Sequence, residues 1–184
     1  MRKFYVDNML KPQVNDVIFD IGCGPADILE FLPEVQYFGV DHNPRYIEQA
    51  RKRWPQALFE TTAVLELNSG YLPPADLVMA NAVLHHLDDT EATHLFATAA
   101  RLLREGGRLC TLDNHFYYDQ HPLSRWLIER DRGRFVRNAD GYAALAAPFF
   151  QEVRRVTRPD LLHVPYDIVM FEFVLRQKDG TSNA

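Results

Sequence analysis

The stretch Val17-Ile18-Phe19-Asp20-Ile21-Gly22-Cys23-Gly24-Pro25-Ala26-Asp27 decides the fold. Its first five residues form a short apolar run rich in β-formers, as expected of a strand buried on both faces. Gly22-x-Gly24 then lets the backbone turn sharply and approach a ligand closely. Ala26 to Leu32 reads as a short helix stopped by Pro33, and Tyr37 to Val40 as a second strand ending in Asp41. Asn43-Pro44 is a helix start, with the cap residue first and proline at the first helical position. That helix runs to about Arg53, with Pro55 beyond it.

Further out, Ala57 to Thr61 is a third strand, and the turn-rich stretch Asn68 to Pro74 leads to a fourth, Leu77 to Ala80. Residues 90–103 place Leu95, Phe96, Ala99, Leu102 and Leu103 at helical spacing, and Gly106-Gly107 stops them. Arg108 to Leu112 is the fifth strand. Residues 114–150 are more irregular, with helices expected near 123–131 and 139–147. Val153 to Thr157 and Ile168 to Leu175 alternate and close the sheet as a hairpin. Residues 1–16 are mixed, with a turn at Lys11-Pro12 and Asn15-Asp16, and the tail from Lys178 to Ala184 is expected to be mobile.

Strand and helix in alternation mean an α/β fold: a doubly wound, mostly parallel sheet of seven strands with an antiparallel C-terminal edge hairpin. The ligand crevice of such a sheet lies beyond the C-terminal strand ends. Gly22 to Gly24, Asp41, Asn81 to His86 and Asp113-Asn114 all fall there. The length of 184 residues suits one domain, 1–184, in which 14–113 is a cofactor-binding half and 114–184 an acceptor-side insertion with closing strands. Apolar residues are 47% of the chain, and 25 acids against 20 bases give a net charge of −5. That acidity argues against a protein that grips phosphate backbones, so no nucleic-acid partner is expected. The longest apolar run, Tyr142 to Phe150, is far short of the roughly 20 residues of a membrane span. Asp7 and Asn8 interrupt any signal-peptide core. Cys23 and Cys110 are the two cysteines and give no disulfide framework. The expectation is a soluble, cytoplasmic protein.

A glycine loop followed by an acid after the second strand serves two ligand classes. Dinucleotide enzymes need a third glycine, because the pyrophosphate sits on the helix N-terminus. Here that place is Asp27, which would repel a pyrophosphate, so an NAD-dependent oxidoreductase is disfavoured.

Residues 17–27 resemble the first motif of the class I S-adenosylmethionine-dependent methyltransferases, and the chain is similar to small bacterial members of that Rossmann-like family. Gly39-Val40-Asp41-His42-Asn43-Pro44 resembles the acidic second motif. Ala75 to Asp89 resembles the segment around strand four, and Leu103 to Leu109 the turn before strand five. The resemblance covers about residues 14–113 and implies an enzyme that uses S-adenosylmethionine to methylate a small or medium-sized acceptor. A non-catalytic accessory protein that binds the same cofactor is the alternative. Two departures stand out. The family often has glycine where this chain has Ala26, and often has aspartate after strand three where this chain has Thr61-Thr62.

The resemblance assigns cofactor contacts to Gly22, Cys23 and Gly24, to Asp41 as ribose acceptor, and to Asn81 and Ala82 beneath the sulfonium. Asp20, His42, Thr62 and Ala63 are further cofactor candidates. His86 is read either as a cofactor wall or as the catalytic base. Asp113-Asn114 is similar to the metal site of catechol-type methyltransferases, but Asn81 stands where those enzymes need a carboxylate, so no metal is expected. For the acceptor, Arg132, Arg134 and Trp126 are the candidates, and they imply an anionic small molecule. With only 16 residues before the first strand, the cofactor pocket is expected to be open on its N-terminal side. Either the chain is a fragment that lacks its N-terminal lid, or a lid comes from residues 114–150 or from a second subunit, which allows an oligomer through the short N-terminus.

Overall fold

A computed structural model describes residues 1–67, 72–131 and 133–176. Its centre is a sheet of β1 (Val17–Ile21), β2 (Gln36–Asp41), β3 (Leu58–Thr61), β4 (Ala75–Asn81), β5 (Leu103–Asn114), β6 (Phe150–Arg158) and β7 (Ile168–Leu175), in the order β3-β2-β1-β4-β5-β7-β6. β1 pairs in parallel with both β2 and β4, so the winding reverses at β1. β7 is antiparallel to β5 and to β6, which closes the sheet as the expected hairpin.

Alternation sorts the strand residues into two cores. Phe19, Val78, Leu109, Phe171 and Phe173 face α3 (Asp89–Leu102) and α5 (Ala139–Ala146). Ile18, Leu77, Met79, Cys110 and Met170 face the other side, against α2 (Pro44–Arg53) and the N-terminal segment. Phe96 of α3 is fully buried and meets Phe150 and Phe173 edge-on, at ring separations of 6.4 and 6.1 Å. Removing it would cost about 3–5 kcal/mol. α3 starts in a capping box: Glu91 N–H donates to Asp88 Oδ1 (2.8 Å) and Asp88 N–H to Glu91 Oε2 (3.0 Å).

Three expectations need correction. The helix read over Ala26 to Leu32 is a 3₁₀ turn, Asp27–Phe31, because a left-handed Ala26 (φ 56°) and Pro33 leave too little chain for an α-helix. β5 begins at Leu103 rather than Arg108. The glycine pair does not separate helix from strand but bulges within the strand, between the Ala75–Leu103 and Leu77–Arg108 pairings. Residues 1–16 are not shapeless: α1 (Arg2–Tyr5) runs into a π-helical turn, Val6–Leu10, that buries Tyr5, Val6, Met9 and Leu10. The predicted tail and part of the turn at 68–74 lie outside the described residues. Among the described residues no helix is long and apolar enough to cross a membrane. α4 (Pro122–Glu129) completes the elements.

Candidate active site

The loop after β1 owes its shape to three left-handed residues, Gly22 (φ 76°), Gly24 (φ 56°) and Ala26 (φ 56°). A side chain at Gly22 would drive into Val83 Cγ2, whereas a Cβ at Gly24 would meet nothing within 4 Å. Gly22 thus packs against the β4 loop, and Gly24 faces open space. Asp41, buried at the tip of β2, fastens this loop to the next: Gly24 N–H donates to its Oδ2 (3.0 Å) and Asn43 N–H to its Oδ1 (2.8 Å). Each oxygen keeps a further lone pair for a ligand. After β4, Ala82 is also left-handed (φ 57°).

Two cavities open here, and they share Gly22 and Ala82. The larger, about 700 Å³, is walled by Gly24, Asp41, His42, Thr62, Ala63 and His86, with Tyr46, Leu87 and Glu91 further round. The smaller, about 160 Å³, is walled by Asp20, Cys23, Asn81 and Leu112, and by Met1, Arg2 and Tyr5 of the N-terminal segment. All the cofactor candidates named from the sequence therefore stand on these two walls. Tyr46 and the N-terminal residues were missed. Tyr5, Val6, Met9 and Leu10 carry a helical spacing, the one signal of the segment, and it is brief. The expectation of an open N-terminal side does not describe the smaller cavity, which this segment covers.

Three residues on the wall of the smaller cavity carry buried polar atoms without protein partners. Asp20 Oδ2 accepts from Tyr37 Oη at 2.5 Å, but Asp20 Oδ1, Asn81 Oδ1 and Tyr5 Oη are buried and unpartnered. Burial raises the Asp20 carboxyl from 3.8 to about 7; the Tyr37 hydrogen bond opposes this and nearby Asp41 adds to it. Buried polar atoms without partners are rare and call for a ligand or water.

Behind the larger cavity, His85 is buried and its Nδ1 lies 2.7 Å from Asp113 Oδ1. Burial pushes the Asp113 carboxyl up, and its bond to His85 pulls against that. His86 stacks beside His85, with ring centroids 4.0 Å apart, and reaches the larger cavity. Asp113 is thus engaged by His85. Among the described residues no three His, Cys, Asp or Glu side chains gather as metal ligands would.

The acceptor candidates do not converge. Arg132 lies outside the described residues. Arg134 is exposed, and Trp126 lies under the Arg130 guanidinium at 4.2 Å; neither Arg134 nor Trp126 walls either of these two cavities. Gly133 serves for close packing: a Cβ there would collide with the His85 ring.

Residues 19–109 match the family model of a methyltransferase domain. The chain is 40% identical over 113 residues to the trans-aconitate 2-methyltransferase of Methylobacterium nodulans, a match of 59% of this chain and 42% of that protein. Against the trans-aconitate 2-methyltransferase of Afipia carboxidovorans the identity is 32% over 164 residues, 81% of this chain and 60% of the relative. The chain thus spans about two to three fifths of the length of these relatives. The crystal structure of the N-methyltransferase NodS from Bradyrhizobium japonicum superposes with a TM-score of 0.75 at 18% identity, covering 96% of this chain and 94% of that one. Its complex with S-adenosyl-l-homocysteine gives 0.74 at 19% identity, covering 96% and 86%.

Proposed function

The chain belongs to the class I S-adenosylmethionine-dependent methyltransferases, and on that premise we propose that it methylates a small carboxylic acid. The observation that carries the reading is the pair of cavities joined at Gly22 and Ala82. One end offers the Asp41 carboxylate at a strand tip, and the other offers buried acceptor atoms on Asp20 and Asn81. An elongated ligand with hydroxyls in its middle and a cation at one end fits that order of groups. The cofactor supplies an electrophilic methyl on sulfur. The chain's residues hold and orient. Asp41 accepts from the ribose hydroxyls, Thr62, Ala63 and His42 flank the adenine end, and Gly22, Cys23 and Gly24 let the backbone come close. Asp20, Asn81 and Ala82 meet the amino-acid end. Residues 14–113 make this half, and the described residues from 114 to 176 are left for the acceptor side.

The acid acceptor is carried over from the relatives, which are named for trans-aconitate. A carboxylate is already ionised near pH 7, so no base has to remove a proton before transfer. His86 then serves as a wall of the cavity rather than as a catalytic base, and orientation supplies the rate. The acceptor is a small molecule rather than a nucleic acid, in keeping with the net charge of −5. No second subunit is needed, because Met1, Arg2 and Tyr5 of the same chain wall the smaller cavity.

The test is transfer of radiolabelled methyl to a panel of tricarboxylic acids, dicarboxylic acids, amines and phenols of similar size. Trans-aconitate and related acids are expected to accept, and His86→Gln to retain most of the rate. Transfer to amines alone would overturn the acid acceptor. Tight S-adenosylhomocysteine binding with no transfer to any acceptor would make the chain an accessory binder.

A further inference from the structure

We propose that Arg137 is a positioning residue for the cofactor cavity: from the acceptor side of the chain it holds the 3₁₀ turn Leu84–His86 in the place that puts Val83, His86 and Leu87 on the wall of the larger cavity. The proposal rests on the methyltransferase reading. It adds a cofactor-side role for a residue that stands on neither of the two cavity walls.

A turn of three residues has little to hold it. Its own bonds are His86 N–H to the Val83 carbonyl (3.0 Å) and Leu87 N–H to the Leu84 carbonyl (3.2 Å). The Arg137 guanidinium donates to the carbonyls of Leu84 (3.1 Å) and Leu87 (2.9 Å), one at the start of the turn and one just past its end, and to Asp89 Oδ1 (2.6 Å) in α3. A planar fork of donors fixes the spacing of its acceptors, which a single bond does not. Arg137 is itself held. The buried Tyr142 ring lies 5.6 Å from the guanidinium, and its hydroxyl accepts from the Arg137 N–H (3.3 Å) and donates to the Asn114 carbonyl (3.1 Å).

The chain just before Arg137 meets the same turn. Phe135 N–H donates to the His85 carbonyl (3.0 Å), and Gly133 packs where any side chain would collide with the His85 ring. The carbonyls of Leu84, His85 and Leu87 thus all have donors from residues 135–137. An earlier part of the segment is fastened elsewhere: Ser124 Oγ (2.5 Å) and Gln120 Nε2 (3.0 Å) donate to Asp167 Oδ2, just before β7. Residues 133–137 are therefore tied to a cofactor wall, and residues 120–124 to the closing hairpin. A ligand that packs on Val83, His86 and Leu87 favours one arrangement of the turn, and with it the same arrangement of residues 133–137.

The experiment is calorimetric titration of S-adenosylhomocysteine into wild type, Arg137→Ala, Arg137→Lys and Ser124→Ala, with amide hydrogen exchange followed by NMR on wild type. Arg137→Ala is expected to weaken binding about tenfold. Arg137→Lys, which keeps a cation beside Asp89, is expected to recover part of that loss, and Ser124→Ala to bind as wild type does. In wild type the ligand is expected to slow exchange at Phe135 N–H and to leave Arg125 N–H in α4 unchanged. An Arg137→Ala protein that melts cooperatively and keeps wild-type affinity would overturn the proposal. So would an equal loss in Ser124→Ala, which would mean a general loosening of the segment. If Arg137→Ala does not fold, exchange in wild type decides: a Phe135 N–H that the ligand does not slow overturns the proposal and leaves the cofactor reading intact. Failure of wild type to bind S-adenosylhomocysteine would remove the cofactor reading and the proposal with it.

Discussion

The loop after β1 and the segment after β5 lie at the same end of the sheet but are fixed by different means. From Gly22 to Ala26 the backbone does the fixing: left-handed residues set the curve, and one carboxylate, Asp41, ties it to the β2 loop. From Asn114 to Asn138 side chains do it. Arg125 pairs with Glu129 and lies over Phe116, and Arg130 lies over Trp126. Arg137 donates to the carbonyls of Leu84, Leu87 and Phe135 and to the Asp89 carboxylate. Arg125 and Arg130, neighbours of the arginines read as an anion site, brace their own helix, and Arg137 braces the loop after β4. A backbone-built site leaves its polar groups free for a ligand, whereas a site built from paired side chains has already used them.

Four measurements probe that contrast. Gly22→Ala should be the most damaging, since it combines a left-handed φ with a clash against Val83; about 2–4 kcal/mol of stability should be lost in denaturant melts. Gly24→Ala should spare more of the fold and instead weaken cofactor binding. If the two alanines behave alike, the loop is not shaped as described. On the other side, Arg137→Ala should lose about 1.5–3 kcal/mol, because three carbonyls and a carboxylate lose their donor, while Arg134→Ala should stay within about 0.5 kcal/mol. A large effect at Arg134 would show that the segment holds its own site.

A third test uses pH. The Asp20 carboxyl titrates at about 7 when folded and near its ordinary value when unfolded, so the folded state holds the extra proton in between. Stability should therefore fall as pH rises from about 4 to about 7, by up to about 1.4 kcal/mol per unit, and level off above. Asp20→Asn should flatten that slope, and a slope unchanged by the substitution would place the proton elsewhere. The smallest effect is expected for Ala26→Gly. It relieves a left-handed alanine at the position where the family often has glycine, and a net gain of about 0.5–1 kcal/mol should appear as a raised Tm.

The same contrast explains what the sequence revealed. Gly22, Gly24 and Asp41 could be read because a left-handed turn and a strand-tip acid demand particular residue types at particular spacings. Arg132, Arg134 and Trp126 could not be placed, because arginine and tryptophan serve equally well in ion pairs, ring contacts and ligand sites. The fold was legible in its strands, whose apolar runs are unmistakable. It failed at Ala26 to Leu32, where a backbone angle overrode helical composition, and at residues 1–10, where a real helical spacing was too brief to stand out.

Arg108 and Arg154 clamp the N-terminal segment, which bears on how the molecule is made. Asn8 takes its hydrogen bond from Arg154, 146 residues later, and Leu10 takes its own from Arg108. On the ribosome the first ten residues emerge long before those partners exist. β2 and β4 can both pair with β1 while synthesis continues, but the last wall of the smaller cavity waits for β5 and β6. The wall that Tyr5 and its neighbours give the smaller cavity is therefore braced only after β5 and β6 have been made.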